Sequence, residues 1–340
     1  MDRILLTGAT GLVGTAIARE ITSRGIPLRV YARPTSDASR LPRQAEVVRG
    51  ELSDAAALRE ALRDVGGVVH AAGVPTIGTH AYEELAVANV AGVEQVLAAA
   101  REAGVRRAVV TSSTSAIGGT ARPEVRDETA TGNAEALGIG YFRSKARGEK
   151  AALTLVGRGF EVVVVRPSYV LGPGDVHGSS ASTVVALARR RIPGYVDGGA
   201  SFCDVRDVAR GHVEALLRGR SGEVYHLGGH DLPMSEFMRR TCAVAGVRPP
   251  PRVPYAIAWA NAAAQEVAAR LAGRRAKITR ELVRAASLYT FVSSEKARRE
   301  LGYSIRPFEE MVRDTLADAI ARGRLAPSTP ELRALASGAA

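Results

Sequence analysis

Lysine is almost missing. The chain of 340 residues carries 46 basic side chains, and all but Lys145, Lys150, Lys277 and Lys296 are arginine. A net charge of +11 would suit a nucleic-acid or phosphate partner. The arginines are scattered along the whole length, however, and no aromatics interleave with them as base stacking requires, so no nucleic-acid partner is expected. Cysteine is scarce too. Cys203 and Cys242 cannot build a disulfide framework, and neither has an obvious base beside it to make a nucleophilic thiol. The histidines are His70, His80, His177, His212, His226 and His230; they show no paired ligand spacing, and no metal is expected. Aromatics make up 5% of the chain, so the core should be aliphatic. Long apolar runs are absent: the most apolar helix candidate, near 256–272, is interrupted by Asn261, Gln265, Glu266 and Arg270. The sequence opens on a strand pattern without a basic leader or cleavage site. The expectation is a cytoplasmic protein with no membrane partner.

What is present is an alternation. "RILLTG", "LRVYAR", "AEVVRG", "GGVVHAA", "RRAVVTSS" and "EVVVVRP" read as short buried strands. Between them lie helical patterns such as "GLVGTAIAREITSRG", "DAAALREALRD" and "YFRSKARGEKAALTLVGRG", and one long helix from Tyr82 with a break near its start. Strands separated by helices imply right-handed crossovers and a parallel, doubly wound α/β sheet of the Rossmann type. After Pro167 the pattern loosens into loops, "GPGDVHGSSAS" and "DGGAS", with a later strand at "EVYHLGG", a stiff linker "RPPPRVP" and helices near 255–272 and 279–286. We expect a dinucleotide-binding domain over 1–170 with about 200–230, a smaller interleaved substrate-capping region over 171–199 and 231–326, and a frayed tail at 327–340.

"TGATGLVG" places Gly8, Gly11 and Gly14 after the first strand and at the opening of a helix. A phosphate-binding turn needs that context: glycine permits the tight turn and the close approach of a pyrophosphate, which the helix N-terminus favours electrostatically. The end of the second strand, "VYARPTS", has no carboxylate for a ribose 2′-hydroxyl. It has Arg33, and a guanidinium suits a 2′-phosphate, so NADP is expected rather than NAD.

Tyr141 and Lys145 answer for one of the rare lysines. Residues four apart share a helix face. A tyrosine with its ordinary pKa of about 10 is a poor proton-transfer group at neutral pH, and a neighbouring ammonium favours the tyrosinate.

The spacing Gly-x-x-Gly-x-x-Gly, "HAAG", "ANVAGVEQVL", "TSS", "YFRSK", "RPSYVLGPG", "YHLGG" and "ARRELGY", in that order over about residues 3–320, resemble the extended short-chain dehydrogenase/reductase family. The segment "RRRIPGYVDGGASF" is similar to its dihydroflavonol-reductase-like branch. The resemblance implies a catalytic set of Ser113, Tyr141 and Lys145, with Ser112, Thr114 and Ser115 as close neighbours in register, and a lysine that also meets the nicotinamide ribose. It implies a cofactor held by Gly8, Thr10, Gly11, Leu12, Val13, Gly14, Arg33, Glu51, Leu52, Ala71, Ala72, Gly73, Asn89, Thr111, Tyr141, Lys145, Pro167 and Ser168. Glu51 stands where the family usually has aspartate. Asn89 is more often structural than chemical. Phe202, Val205 and Asp207 match a family mark, but Ala200 and Ser201 stand where sugar-nucleotide enzymes carry a diphosphate-gripping arginine. The expectation is an NADPH-dependent ketoreductase of a fairly apolar or polycyclic ketone or alcohol, whose pocket is lined by loops after Ser113, after Gly172 and around Ala200 and by the helix near Trp259. A sugar-nucleotide epimerase or dehydratase, and a non-catalytic NADP(H)-binding regulator, are the alternatives. A homodimer through the helices near 82–104 and 141–158 is a state the resemblance allows.

Overall fold

The computed structural model describes residues 2–157, 159–175 and 182–338. His177 and much of the loop after Gly174 lie outside the described residues.

Seven strands form the main sheet: β1 (Arg3–Thr7), β2 (Leu28–Ala32), β3 (Glu46–Arg49), β4 (Val65–His70), β5 (Arg107–Thr111), β6 (Glu161–Pro167) and, later in the chain, β9 (Val224–Leu227). Their order is β3-β2-β1-β4-β5-β6-β9, and every neighbouring pair is parallel. Between them run α1 (Leu12–Ser23), α2 (Ala55–Ala61), α3 (Tyr82–Ala86), α4 (Gly92–Glu102), α5 (Ala134–Leu137) and α6 (Gly140–Leu153). The strands are apolar on both faces because both are covered. Ile4, Leu6, Val30, Val69, Val109, Val163 and Val165 face one layer, with α1. Leu5, Val68, Val110, Val162 and Val164 alternate to the other, with α2, α4 and α6.

The second half supplies β7 (Tyr169–Leu171), α7 (Ser182–Ala188), β8 (Gly199–Asp204), α8 (Val205–Arg218), β10 (His230–Pro233) and α9 (Met234–Ala245). It continues with α10 (Tyr255–Leu271), α11 (Arg280–Ala286), β11 (Tyr289–Thr290), α12 (Glu295–Leu301), α13 (Phe308–Ala321) and α14 (Pro330–Ser337). Helix α8 returns to the main sheet beside α1, through Val205, Val208 and Val213. β7, β10 and β11 all pair with β8 in a small second sheet. Phe202, Phe237 and Phe308 fill its core. The rings of Phe202 and Phe237 stack at 4.2 Å.

Three expectations are corrected here. The "DGGAS" segment is not only loop: Gly199, Ala200 and Ser201 open the fully buried β8. These small residues are there for close approach rather than turning. A Cβ on Gly199 would lie 2.7 Å from the Phe291 ring, and one on Gly229 only 1.9 Å from the Phe202 carbonyl oxygen. Residues 327–338 are not frayed. Thr329 caps α14 by accepting from the Leu332 N–H, and Leu332 is fully buried against α9 and α13. The long helix from Tyr82 is not simply interrupted; a π-helical turn at Val87–Ala91 joins α3 to α4.

Candidate active site

In this sheet the direction in which successive strands are added reverses between β1 and β4, which opens a crevice at their carboxyl ends. The two loops there touch backbone to backbone. Gly8 has φ +73°, and a Cβ on it would lie 2.4 Å from the Ala72 nitrogen. A Cβ on Gly14 would lie 2.1 Å from the Gly8 carbonyl oxygen, so α1 can start this close only as glycine. Gly11 donates to the Gly8 carbonyl at 3.1 Å, and Thr15 closes the turn onto the Ala9 carbonyl at 2.9 Å. Ala71, Ala72 and Gly73 form the facing wall, Thr10 lies on the turn itself, and Leu12 and Val13 open α1. This cradle fits a pyrophosphate, since it presents backbone at a helix N-terminus where side chains would intrude.

Arg33 directly follows β2, with an exposed side chain that makes no salt bridge among the described residues. Its carbonyl is held by Arg49 Nη1 at 3.0 Å, which also grips the Ser36 carbonyl. Arg40, seven residues further on, escaped sequence reasoning. It donates to the Gly174 carbonyl at 2.8 Å, while its buried Nε and Nη1 have no partner. Both guanidiniums, of Arg33 and Arg40, lie on the loop after β2. Nearby, Tyr31 fixes the turn after β3 through the Glu51 carbonyl at 2.8 Å. Leu52 packs under it towards Gly92.

The chemical end lies over β5 and β6. The Tyr141 phenol is buried, which raises its pKa, and its hydrogen bond with Ser113 pulls the other way. Ser113 accepts from the Ser115 N–H at 3.1 Å, whereas Ser112 turns away to donate to Glu149 at 2.7 Å. Of the neighbouring hydroxyls, Ser113 is therefore the one at the phenol. Lys145 donates to the Thr111 carbonyl at 3.0 Å. Burial pushes its ammonium down to about 8, and the Glu149 carboxylate resists the fall.

Asn89 sits in the π-helical turn and is structural. Its Oδ1 accepts from the Val74 N–H at 2.9 Å, and its Nδ2 donates to Ser144 at 3.0 Å. Ser144 in turn donates to the Tyr141 carbonyl at 2.8 Å. The widened turn lets α6 come close: a Cβ on Gly148 would lie 2.0 Å from the Asn89 carbonyl oxygen. Pro167 ends β6. Ser168 donates to the Ser201 carbonyl at 2.6 Å and so ties the two sheets together.

Beneath Lys145 lies a polar network that sequence reasoning missed. Glu149 pairs with Arg166, whose Nε donates at 2.8 Å. Arg166 also reaches His226 at 3.1 Å. The signal for Glu149 was its place four residues after Lys145 on the same helix face. The structure sets α11 between Tyr141 and the helix near Trp259. Ala285 of α11 packs with Tyr141, while Val283 and Ala286 of α11 pack with Ala258 and Ala262 of α10. Helix α10 is thus one layer further out. A cavity of about 510 Å³ bordered by Gly67, Arg107 and Glu161 lies at the amino ends of β4–β6, the wrong end of a parallel sheet for this chemistry.

Residues 4–228 match the NAD dependent epimerase/dehydratase family. The chain belongs to this family. It is an NAD(P)-dependent oxidoreductase of the extended short-chain type, as the reductase relatives indicate. It is 30% identical to a putative dihydroflavonol 4-reductase of Synechocystis over 94% of both chains. It is 31% identical to a 4-hydroxy-2-methyl-3-oxo-4-farnesyl-3,4-dihydroquinoline-1-oxide ketoreductase of Stigmatella aurantiaca, over 93% of this chain and 96% of the relative. Among solved structures it superposes on gox2253 with a TM-score of 0.84, at 36% identity over 96% of this chain and all of that one. It also superposes on PA4631 of Pseudomonas aeruginosa, described as a nucleoside-diphosphate-sugar epimerase, with a TM-score of 0.79 at 27% identity over 95% and 99%.

Proposed function

We propose that this family member is an NADPH-dependent ketoreductase of a fairly apolar or polycyclic small molecule, with Tyr141 as the proton donor. The observation that carries the reading is the grouping of buried Ser113 and Tyr141 with half-buried Lys145 on one wall of the crevice. When bound, the nicotinamide supplies hydride to the carbonyl carbon. Tyr141 gives its phenolic proton to the carbonyl oxygen as negative charge develops there. Ser113 holds that oxygen through its hydroxyl. Lys145 keeps a positive charge beside the phenol, which eases loss of the proton.

The apolar substrate is supported by β8. Ala200, Ser201 and Phe202 are buried where a diphosphate-gripping arginine is expected in sugar-nucleotide enzymes. Arg206, Arg210 and Arg306, which follow or pack near it, are committed to Asp204, Asp207, Glu310 and Asp314. The relatives named for a farnesylated quinoline oxide and, in Methylococcus capsulatus, for sterol demethylation point the same way. The second reading, a sugar-nucleotide epimerase, is favoured by the likeness to PA4631.

NADPH and NADH titrated separately against nicotinamide fluorescence test the cofactor. The expected result is tighter NADPH binding and a loss of about tenfold or more in Arg33→Ala, the scale of a charged hydrogen bond. Equal affinity for both would remove the phosphate argument. Polycyclic ketones should then drive stoichiometric NADPH consumption; an NDP-sugar interconverted without net absorbance change would establish the epimerase instead.

Glu149→Gln tests the network beneath the lysine. It keeps the shape but removes the carboxylate that favours the ammonium. The Lys145 pKa, already down to about 8, falls further, so activity is lost at a lower pH on the alkaline side. A pH–rate profile with an unmoved alkaline limb would show that Glu149 only holds Arg166.

A further inference from the structure

Helix α10 is unusual in its solvent side. Half of the exposed large apolar side chains among the described residues lie on it: Tyr255, Ile257, Trp259, Val267 and Leu271. Its inner stripe, Ala258, Ala262 and Ala269, carries its packing onto α11 and the body of the protein. At 100° per residue, Ile257, Ala260, Ala264, Val267 and Leu271 then fall on the opposite side, a continuous apolar stripe over the whole helix. Ile257 is 61%, Val267 60% and Leu271 84% exposed. The far end of the stripe is cationic. Arg270, Arg274 and Lys277 are exposed and form no salt bridge among the described residues, and Arg275 is spent on Glu84.

We propose that α10 is a docking helix for an anionic phospholipid surface. Its stripe would lie in the boundary between headgroups and acyl chains, with Arg270, Arg274 and Lys277 on lipid phosphates. An apolar face beside basic side chains is what holds a helix in that layer. Charge selects this occupant over a second copy, because two chains of +11 would meet. Lying on a membrane is distinct from spanning one, and among the described residues no helix is long and apolar enough to cross. The placement has a consequence for access. Helix α11 separates α10 from Tyr141 by one layer, and Arg275 ties the segment after α10 to the Thr79 carbonyl, on the loop after β4. A docked α10 therefore holds the Tyr141 site one helix layer from the bilayer surface, where apolar substrates concentrate. The docking itself goes beyond the proposed reaction and is read without any turnover.

The chain carries one tryptophan, Trp259, and it lies on α10. The full-length protein is mixed with phosphatidylcholine vesicles with or without phosphatidylglycerol, and with brominated lipid as quencher. The expected result is co-sedimentation and Trp259 quenching at least tenfold stronger on the anionic vesicles, reversed by high salt. Ile257→Gln, Val267→Gln and Leu271→Gln combined should lose the binding while keeping cofactor affinity. The charge reversal Arg270→Glu, Arg274→Glu and Lys277→Glu should lose it as well. No preference for anionic vesicles, wild-type partitioning by both variants, or a Trp259 change that follows protein concentration without lipid would each overturn the assignment, the last in favour of a second copy.

Discussion

Tyr141→Phe is expected to lower kcat for ketone reduction by about a thousandfold, within the usual worth of a positioned proton donor. KM, cofactor affinity and thermal stability should change little. The expectation follows from what the hydroxyl touches. The ring is packed among Leu85, Ile139, Phe142 and Ala285, and phenylalanine fills the same space. The hydroxyl itself is tied to Ser113, the residue that would hold the substrate oxygen. Its removal deletes the proton without opening a cavity, so the loss should appear in kcat and kcat/KM equally. Ser113→Ala should cost less, because it removes a hydrogen bond to the oxygen but leaves the donor. A Tyr141→Phe enzyme that keeps a tenth or more of its kcat would move the proton donor elsewhere, and the mechanism proposed here would fall with it. A variant that loses NADPH binding as well would instead show that the phenol is part of the cofactor site.

How far the sequence announced this site depends on which physics was local. The glycine turn was legible because its residues, the strand before it and the helix after it are contiguous, and a positive φ such as that of Gly8 leaves a glycine in the sequence. That Tyr141 and Lys145 share a helix face was legible from periodicity, while their role came only with the family resemblance. Glu149 was on that same face, but its meaning depends on Arg166 and His226, which arrive on β6 and β9. No local pattern records that convergence. Arg40 was lost in a chain full of arginines, and only its two buried, unpartnered nitrogens distinguish it. The small sheet was obscured for another reason. Gly199 has poor strand propensity, and it is a strand residue because the Phe291 ring and the Leu232 carbonyl leave no room for a Cβ. Tertiary contact overrode propensity there. In the tail, by contrast, the sequence carried an available signal: Thr329, Pro330 and Glu331 make a helix start.

Mild acid should unfold this protein well before its carboxylates are fully protonated. His70, His212 and His226 are all completely buried by surface exposure. Burial, with Lys145 nearby, pushes His70 down to about 3. Burial takes His212 to about 4 against the opposing bond to the Val208 carbonyl. Burial and then Arg166 take His226 to about 3. Histidine in an unfolded chain titrates near 6.5. Above that pH the three are neutral in both states and add no pH dependence. Below it the unfolded chain takes up protons that the folded chain refuses, so stability falls as pH drops and continues to fall until the folded values are reached. Each such histidine removes about 1.4 kcal/mol per pH unit. Three together remove roughly 4 kcal/mol per unit against a total of about 5–15 kcal/mol for an ordinary protein. Asp207 and Asp231 oppose the trend, since burial raises both and the folded state protonates them first. Thermal unfolding followed from about pH 7 to pH 5 should therefore show a steadily falling Tm, with about three protons taken up on unfolding near pH 5.5. His70→Asn, whose amide can still meet the Thr7 hydroxyl that His70 Nδ1 contacts at 2.8 Å, should remove about one third of the slope. A Tm that stays flat over this range would mean that these imidazoles find a way to be charged inside the fold.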